Sequence, residues 1–489
     1  MIRSRKSIGL FTGIILFLFF FLFTDLDPQR PLVSPALGVA LLMASWWITE
    51  AIPLSVTALV PLVLFPVLGI VPGKVIATSY MNQIIFVYLG GFMVALAMEK
   101  WNLHRRIALK IMTWVGLGPG RILLGFMLAT AFLSMWISNT AATMMMLPIV
   151  ISIIGQLEKQ ISHQSIGKYA TGILLGVAYS SSVGGITTLV GSPTNLVYPQ
   201  QMQALFPDLE IISFTRWFAL ASPIALLMFV AVFILLYLLF VPKEKFTGLE
   251  EGYFRNEYRS LGKASYEERA VLILFASLAA LWTFRTGIRF DRFSIPGWGS
   301  LFKNELFLND ASPAIFIAIL LFILPSSKKD GSKLMDWTTA KRLPWDIVLL
   351  FGGGFALASG FQSSGLAVWM GEQLGWTSTT GSYIVLLAVL TLMVFLTELT
   401  SNVASIQMLL PVFASLAISS GTSPVFLMFP ATLASSMAFM LPTATPPNAI
   451  VFGSHRIEIS TMVRTGLILN ILAILIILVF TWLQEGRLV

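Results

Sequence analysis

Long apolar runs are the feature that most restricts how this chain can fold. Stretches such as Ile8 to Phe23, Trp217 to Val241 and Leu467 to Trp482 are each long enough, as helix, to cross about 30 Å of hydrocarbon. Hydrophobic residues make up 56% of the chain and charged residues only 11%, a balance that a water-soluble fold does not keep. The runs alternate too little for the strands of an outer-membrane barrel. The sequence therefore predicts an all-α polytopic membrane protein.

Basic residues indicate the orientation of the chain. They cluster at the N-terminus, around Lys100 to Lys110, in the polar segment Lys243 to Arg269, and from Lys328 to Arg342, and the positive-inside rule places these clusters in the cytoplasm. Counting the apolar runs between them predicts about eleven transmembrane helices, with a cytoplasmic N-terminus and an external C-terminus. Because the basic residues orient a membrane protein, the net charge of +8 does not indicate a nucleic-acid partner.

An internal repeat divides the chain into two halves. The first half contains "FLSMWISNTAATMMMLPIV" followed by "SSSVGGITTLVGSPTNLV", and the second contains "FLTELTSNVASIQMLLPVF" followed by "ASSMAFMLPTATPPNAIV". A constant separation of 263 residues relates Gly90 to Gly353, Ser138 to Ser401, and Pro148 to Pro411. No Lys or Arg occurs from Leu343 to His455, whereas the matching region of the first half is flanked by many. The halves are therefore predicted to be inverted in the membrane, which is a transporter architecture.

Each half contains two apolar stretches that are interrupted by a short polar element. The elements are Ser138 to Thr140, Gly191 to Asn195, Ser401 to Val403, and Thr443 to Asn448. Ser, Asn and Thr can cap a new helix and Pro suits its first turn, so each break can point helical N–H groups at an anion. The carbonyl, hydroxyl and amide oxygens freed at the same breaks are hard neutral ligands that suit sodium. The sequence thus predicts neighbouring anion and cation sites near the membrane centre.

Other classes of protein fit less well. The chain has no cysteine, no histidine within a span and no paired intramembrane carboxylates, so it offers no catalytic set for a membrane enzyme. A passive channel does not need two matched, inverted repeats with broken helices. Glu398 is an intramembrane carboxylate near the second polar element. It either binds a cation or proton, or holds neighbouring backbone, and we favour the structural role.

Several motifs together resemble the divalent anion/sodium symporter family. They are the paired "SN" elements, "WWITEAIPL" at Trp46 to Leu54, "LPWDIVLLFGGGFALA" at Leu343 to Ala358, and the stretch Ser436 to Val451. The resemblance covers nearly the whole chain. It implies a homodimer in the lipid bilayer of the bacterial cytoplasmic (inner) membrane, in which each subunit has a static scaffold domain and an elevator-type transport domain. The "SN" elements would be the tips of two re-entrant hairpins.

The resemblance also implies site residues. One sodium ion would bind Ser134, Ser138, Asn139 and the backbone at Gly191. A second would bind Thr397, Thr400, Asn402 and the backbone at Ala444. The substrate would contact Asn139, Thr140, Ser192, Pro193, Asn402, Val403, Thr445 and Pro446. Val403 stands where the doubled "SNT" pattern has threonine, which leaves the substrate's size and identity open.

The resulting domain plan has four parts. Residues 1–34 form the first helix and an external loop, and residues 35–242 form the first inverted repeat, with a hairpin at 121–157 and a broken helix at 169–205. Residues 243–269 form a cytoplasmic linker. Residues 270–489 form the second repeat, with a hairpin at 383–418 and a broken helix at 424–452. The expected activity is sodium-coupled import of a small di- or tricarboxylate such as succinate, malate, fumarate or citrate, with sodium-independent exchange and sodium/sulfate symport as alternatives.

Overall fold

Helices make up nearly all of the regular structure. A computed structural model of the chain describes residues 2–158, 163–242, 252–289, 294–328, 331–374 and 381–484. In these ranges, the strands consist of Ile288–Arg289 paired antiparallel with Ser294–Ile295. This composition confirms the prediction of an all-helical membrane protein.

The helices are numbered in chain order. The first half contains α1 (Ile2–Leu22), α2 (Val33–Thr49), α3 (Leu54–Thr57), α4 (Val60–Val67), α5 (Gly73–Thr78), α6 (Gln83–Lys100), α7 (Leu103–Val115), α8 (Pro119–Ser134), α9 (Asn139–Leu157), α10 (His163–Gly185), α11 (Pro193–Leu205), α12 (Phe214–Phe240) and α13 (Tyr253–Ser260). The second half contains α14 (Tyr266–Thr283), α15 (Ala311–Ile323), α16 (Trp337–Ala340), α17 (Trp345–Ser364), α18 (Leu366–Gln373), α19 (Ser382–Thr397), α20 (Asn402–Ser419), α21 (Pro424–Ala434), α22 (Pro446–Phe452) and α23 (Ile459–Leu483).

Length and composition identify the helices that can cross a membrane. Six helical stretches in the described residues are long and apolar enough to span: Gly73–Lys100, Asn139–Leu157, Phe214–Phe240, Trp345–Ser364, Asn402–Ser419 and Ile459–Leu483. Shorter apolar helices accompany them. Helices α12 and α23 keep large aliphatic side chains exposed along one face, including Leu238 at 73% and Val479 at 51%. Such faces suit contact with lipid rather than water. The total of about eleven crossings stays a prediction.

The same succession of helices occurs in both halves. Helices α8 and α9 meet at a break before Asn139, and α19 and α20 meet at a break before Asn402. Each second helix contains an internal proline, Pro148 or Pro411. The predicted hairpin ranges 121–157 and 383–418 correspond to these two pairs. That the pairs are re-entrant stays a prediction.

The second element of each half is a helix interrupted near its middle. Helix α10 ends at Gly185 and α11 begins at Pro193, while α21 ends at Ala434 and α22 begins at Pro446. The predicted range 169–205 begins inside α10, whose first residue is His163, whereas 424–452 matches the limits of α21 and α22. The intervening backbone has left the helical hydrogen-bond pattern, so its polar groups need other partners.

Contacts between the halves bring the interrupted helices together. Helix α10 packs against α8, α9 and α12 of its own half and against α22 of the other, while α11 packs against α17, α20 and α21. The hydroxyl of Tyr179 on α10 donates to the carbonyl oxygen of Phe439 at 2.8 Å, and the two rings meet edge to face. All the breaks are therefore held within one packed region.

Part of the predicted linker 243–269 lies outside the described residues. The remainder contains α13, and Glu268 at the start of α14 forms a bidentate ion pair with Arg106 of α7 at 2.8 and 3.0 Å. Arg106 also donates to the carbonyl oxygen of Gly262. These contacts hold α13 and the start of α14 against α7.

Candidate functional site

A cluster of oxygen atoms lies where the first hairpin meets the first broken helix. The hydroxyl of Ser134, at the end of α8, lies 2.6 Å from the Asn139 side-chain amide and donates to the carbonyl oxygen of Ser181 at 2.7 Å. The amide atom that faces Ser134 also lies 3.1 Å from the Ser181 carbonyl oxygen and 3.2 Å from that of Gly191. Three predicted residues of the first sodium site are thus adjacent, together with a carbonyl that was not predicted.

The surroundings of Asn139 suit a small cation. If the side-chain nitrogen occupies the central position, it donates to three oxygen acceptors. If the side-chain oxygen occupies this position, four oxygens lie close together, one each from Ser134, Asn139, Ser181 and Gly191. No N–H group of the Asn139 amide then points at the two carbonyls. The orientation of a side-chain amide depends on the groups that surround it. A bound cation would therefore favour the orientation in which the Asn139 oxygen points at the cluster. Neutral oxygen ligands of this kind suit sodium.

The second half repeats the cluster. The hydroxyl of Thr397, at the end of α19, lies 2.6 Å from the Asn402 side-chain oxygen and donates to the Ser435 carbonyl oxygen at 2.8 Å. Thr397 is fully buried, as Ser134 is in the first half. The hydroxyl, amide and carbonyl therefore occur in the same order in both clusters.

A second asparagine in each half shapes the break in the broken helix. Asn195 donates to the carbonyl oxygens of Gly185 and Thr188, which lie 10 and 7 residues before it. Asn448 donates to those of Ala438 and Leu441, which lie at the same two spacings. Both asparagines are fully buried. These bonds satisfy backbone carbonyls that the broken helix leaves open, and they give the two loops the same shape.

Hydroxyl groups join the two broken helices. The hydroxyl of Thr194 lies 2.7 Å from that of Ser436 and 2.8 Å from that of Ser192. A continuous path of contacts thus connects the Asn139 cluster, the start of α11, the break after α21 and the Asn402 cluster. The breaks around both clusters are therefore connected, and that they form one binding site stays a prediction.

Some residues expected at the sodium sites make other contacts. The Ser138 hydroxyl accepts from the backbone N–H of Ala141 at 3.2 Å and so caps α9. The Thr400 hydroxyl donates to the Leu396 carbonyl oxygen and contacts the Ser405 hydroxyl. Neither hydroxyl has one of these hydrogen bonds to an atom of its cluster. Ala444 is buried in the break between α21 and α22, and its N–H donates to Leu441.

The expected substrate residues lie at or beside the starts of helices. Asn139 and Asn402 are the first residues of α9 and α20, and Pro193 and Pro446 are the first residues of α11 and α22. Thr140 and Val403 follow the two asparagines, and both are half-buried. Ser192 and Thr445 precede the two prolines, and they are 5% and 4% exposed. The Thr445 hydroxyl caps α22 by accepting from Asn448 N–H. Helix starts carry a partial positive charge, which favours an anion where no lysine or arginine is present.

Glu398 holds the loop of the second broken helix. Its carboxylate accepts from the backbone N–H groups of Phe439, Met440 and Leu441 at 2.7, 2.8 and 3.0 Å. It also accepts from the Asn470 amide at 2.8 Å. These four bonds support the structural role that the sequence favours. Met135 occupies the matching position in the first half, where its carbonyl oxygen accepts from the Thr188 hydroxyl.

Sequence reasoning missed several contributors to the site. It did not predict the Ser181 and Ser435 carbonyls or the Thr194–Ser436 contact, and it named Asn195 and Asn448 only as members of the polar elements, without their loop-shaping bonds. A signal was present, because "SSS" and "ASS" stand at equivalent places in the two repeats. The atoms that Ser181 and Ser435 contribute to the clusters are backbone carbonyl oxygens, which residue type does not identify.

Comparison with known proteins identifies relatives along nearly the full length. Residues 8–485 match the model of the family described as "Sodium:sulfate symporter transmembrane region". The sodium-dependent dicarboxylate transporter SdcS of Staphylococcus saprophyticus is 40% identical over 484 residues, which cover 98% of this chain and 91% of the relative. SdcS of Staphylococcus aureus strain MRSA252 is 40% identical over 491 residues, covering 98% and 92%.

Two solved structures are similar in fold. The Neisseria gonorrhoeae protein MtrF aligns with a TM-score of 0.53 at 12% identity over 83% of this chain and 82% of its own. The YdaH transporter of Alcanivorax borkumensis aligns with a TM-score of 0.50 at 14% identity over 84% and 86%. At such low identity, these likenesses concern the fold alone. The match over residues 8–485 and the 40% identical relatives confirm the resemblance: the chain belongs to the divalent anion/sodium symporters, a family of membrane transporters and not of enzymes.

Proposed function

We propose that this protein imports a small di- or tricarboxylate anion together with sodium across the bacterial cytoplasmic membrane. The observation that carries the proposal is the duplicated oxygen cluster, in which Ser134 with Asn139 and Thr397 with Asn402 each pack a hydroxyl against an amide, both at 2.6 Å. Two cation sites beside helix starts give a reason for sodium coupling. The relatives named as sodium-dependent dicarboxylate transporters support the same substrate class.

Sodium and substrate would be coupled through shared residues. Asn139 and Asn402 each belong to a cluster and begin the helix that faces the proposed anion site. An ion that fixes the amide would therefore orient that helix start and add positive charge beside the anion. Because such coupling is reciprocal, the substrate would raise sodium affinity by the same factor.

The proposed conformational change is an elevator movement. The clusters lie on α8–α11 and α19–α22, whereas α2–α5 pack with α17 and α18 around a second core that includes Trp47, Phe65 and Phe361 and that Ala404 of α20 adjoins. The first group would carry the site across the membrane as a transport domain, and the second would belong to a static scaffold. Two re-entrant hairpins, about eleven crossings, a cytoplasmic N-terminus, an external C-terminus and a homodimer complete the proposal.

Uptake into proteoliposomes tests the function. Purified protein is reconstituted, and labelled succinate uptake is measured with an inward sodium gradient, with an equal potassium gradient, and with vesicles preloaded with succinate. Accumulation that requires sodium supports the symporter. Uptake that requires internal succinate and ignores sodium would instead establish an exchanger. Sodium-driven uptake of labelled sulfate with none of succinate, malate, fumarate or citrate would overturn the carboxylate assignment.

A further inference from the structure

Three buried glutamines connect the site-bearing helices to α17. Gln200 and Gln201 lie on α11, Gln407 lies on α20, and all three side chains are fully buried. Gln201 donates to the carbonyl oxygen of Gly354 at 3.1 Å, and Gln200 donates to that of Phe351. Gln407 donates to Gln200 and accepts from Gln201, both at 3.3 Å. We call this set the glutamine cluster.

Helix α17 is shaped to receive the cluster. A side chain at Gly354 would place its Cβ 1.5 Å from the Gln407 side-chain oxygen, so only glycine permits this approach. A Cβ at Gly353 would instead meet Ala58 at 2.5 Å, in the part of the molecule that carries no predicted site residue. Gly353 and Gly354 thus let α17 pack closely against the rest of the proposed scaffold on one side and against the glutamine cluster on the other.

The cluster breaks the symmetry of the repeats. Subtracting the repeat separation of 263 from Gln407 gives Met144, which is apolar and 58% exposed. Met145 and Met146, which follow it, line an open cavity of about 340 Å³ together with His104, Arg105 and Ser152. The proposed orientation places this cavity on the cytoplasmic side. In this structure, Gln407 of α20 bonds to α11 beside α17, whereas Met144 at the matching position of α9 is exposed.

We infer that the glutamine cluster is a latch between the transport domain and the scaffold that stabilises the state open to the cytoplasm. The inference rests on the proposed elevator function, because α11 and α20 must slide past α17. An apolar contact between these helices would stabilise many relative positions about equally. Hydrogen bonds from amides to particular carbonyls instead stabilise one position of α11 and α20 relative to α17.

Cysteine accessibility can test the latch, because the chain contains no cysteine. A single Ser152→Cys substitution provides a reporter in the cavity, read by a membrane-impermeant maleimide in inside-out vesicles. Gln407→Met introduces the residue found at the matching position and removes, at similar volume, the amide that holds Gln200 and Gln201, whose side chains donate to α17. We expect it to slow labelling several-fold and to change the rate of succinate exchange. Gln203→Met is the matched control, since Gln203 lies on α11 outside the cluster.

A second variant tests whether slower labelling results from loss of the latch and not from misfolding. Gln201→Met removes the bond to Gly354 and should also slow labelling, with a normal elution profile and melting temperature. Labelling rates equal to those of the control in both variants would overturn the latch. Sodium-driven uptake by the unmodified protein is measured in parallel. If the unmodified protein shows this uptake and labelling is unaffected in both variants, only the latch is refuted. If the unmodified protein shows no such uptake, the proposed function is refuted.

Discussion

In the proposed site, Asn139 and Asn402 would each serve both the ion and the anion. Each side-chain amide lies 2.6 Å from a buried hydroxyl, and each residue begins a helix that faces the proposed anion site. An apolar replacement would remove the proposed ligand to the ion and the amide contact of the neighbouring buried hydroxyl. Their importance comes from this double contact and not from burial alone, since both are only half-buried.

We expect Asn139→Ala and Asn402→Ala each to abolish sodium-driven uptake. Losing one charge-assisted contact of about 1.5–3 kcal/mol weakens ion binding by about 10- to 100-fold, and the coupling carries this loss to the substrate. Proteoliposome uptake across a range of sodium concentrations measures the effect, with the exposed Asn304→Ala as control. Near-normal uptake by either site variant would refute its assignment.

Val403 replaces the hydroxyl that Thr140 provides in the first half, and its side chain is half-buried. Val403→Thr adds one hydroxyl at nearly constant volume. If this position faces the substrate, the change should shift the relative affinities of succinate and citrate by about two- to tenfold, equivalent to one neutral hydrogen bond. Competition of unlabelled anions against labelled succinate measures the ratio. An unchanged order and ratio would show that Val403 faces another part of the protein.

At the scale of elements, Glu398 joins a hairpin to a broken helix. It accepts from three successive N–H groups of residues 439–441 and from Asn470 on α23. Glu398→Gln replaces an oxygen acceptor by an NH₂ group that faces donors, which should cost about 1.5–3 kcal/mol of stability. Thermal unfolding in detergent should show a lower melting temperature, whereas Glu210→Gln on the surface should not. No shift would mean that the loop is held by other contacts.

Asp336 joins the start of α16 to α6 through Lys100, at 2.6 Å, and caps the helix at Thr339 N–H. The hydrogen bond from Lys100 lowers the pKa of Asp336 from 3.8 to about 2. A lowered pKa stabilises the folded state above about pH 4, and the contribution disappears as the pH falls through about 2. Asp336→Asn should therefore reduce the melting temperature at pH 6, and the difference should shrink between pH 4 and pH 2. A difference independent of pH would contradict this account.

At the scale of the whole molecule, the proposed eleven crossings are an odd number, so the two ends of the chain should lie on opposite sides of the membrane. Ser7→Cys and Leu483→Cys, each as the only cysteine, should be labelled by an impermeant maleimide from opposite sides. We expect Ser7→Cys to react in inside-out vesicles and Leu483→Cys in right-side-out vesicles. Labelling of both from the same side would refute the proposed topology, whereas a detergent-permeabilised sample confirms that each cysteine is reactive.

Much of this protein follows from the sequence alone. Apolar run length requires membrane helices, because unpaired backbone is too costly in lipid. The repeat spacing of 263 residues places Asn139 and Asn402 at equivalent positions, and Pro, Ser and Asn mark where the helices break. These are local properties of residue type and order, so no tertiary information is needed to recognise them.

Only the tertiary structure decided which atoms meet. Ser181 and Ser435 contribute backbone carbonyls, and any residue type carries such a group. The hydroxyls of Ser138 and Thr400 turn to helix caps and neighbouring turns, because nearby backbone groups compete for them. Gln407 meets Gly354 only because two distant helices pack closely. Contacts between residues far apart in sequence depend on the packing of whole helices, and the composition of each helix does not specify that packing.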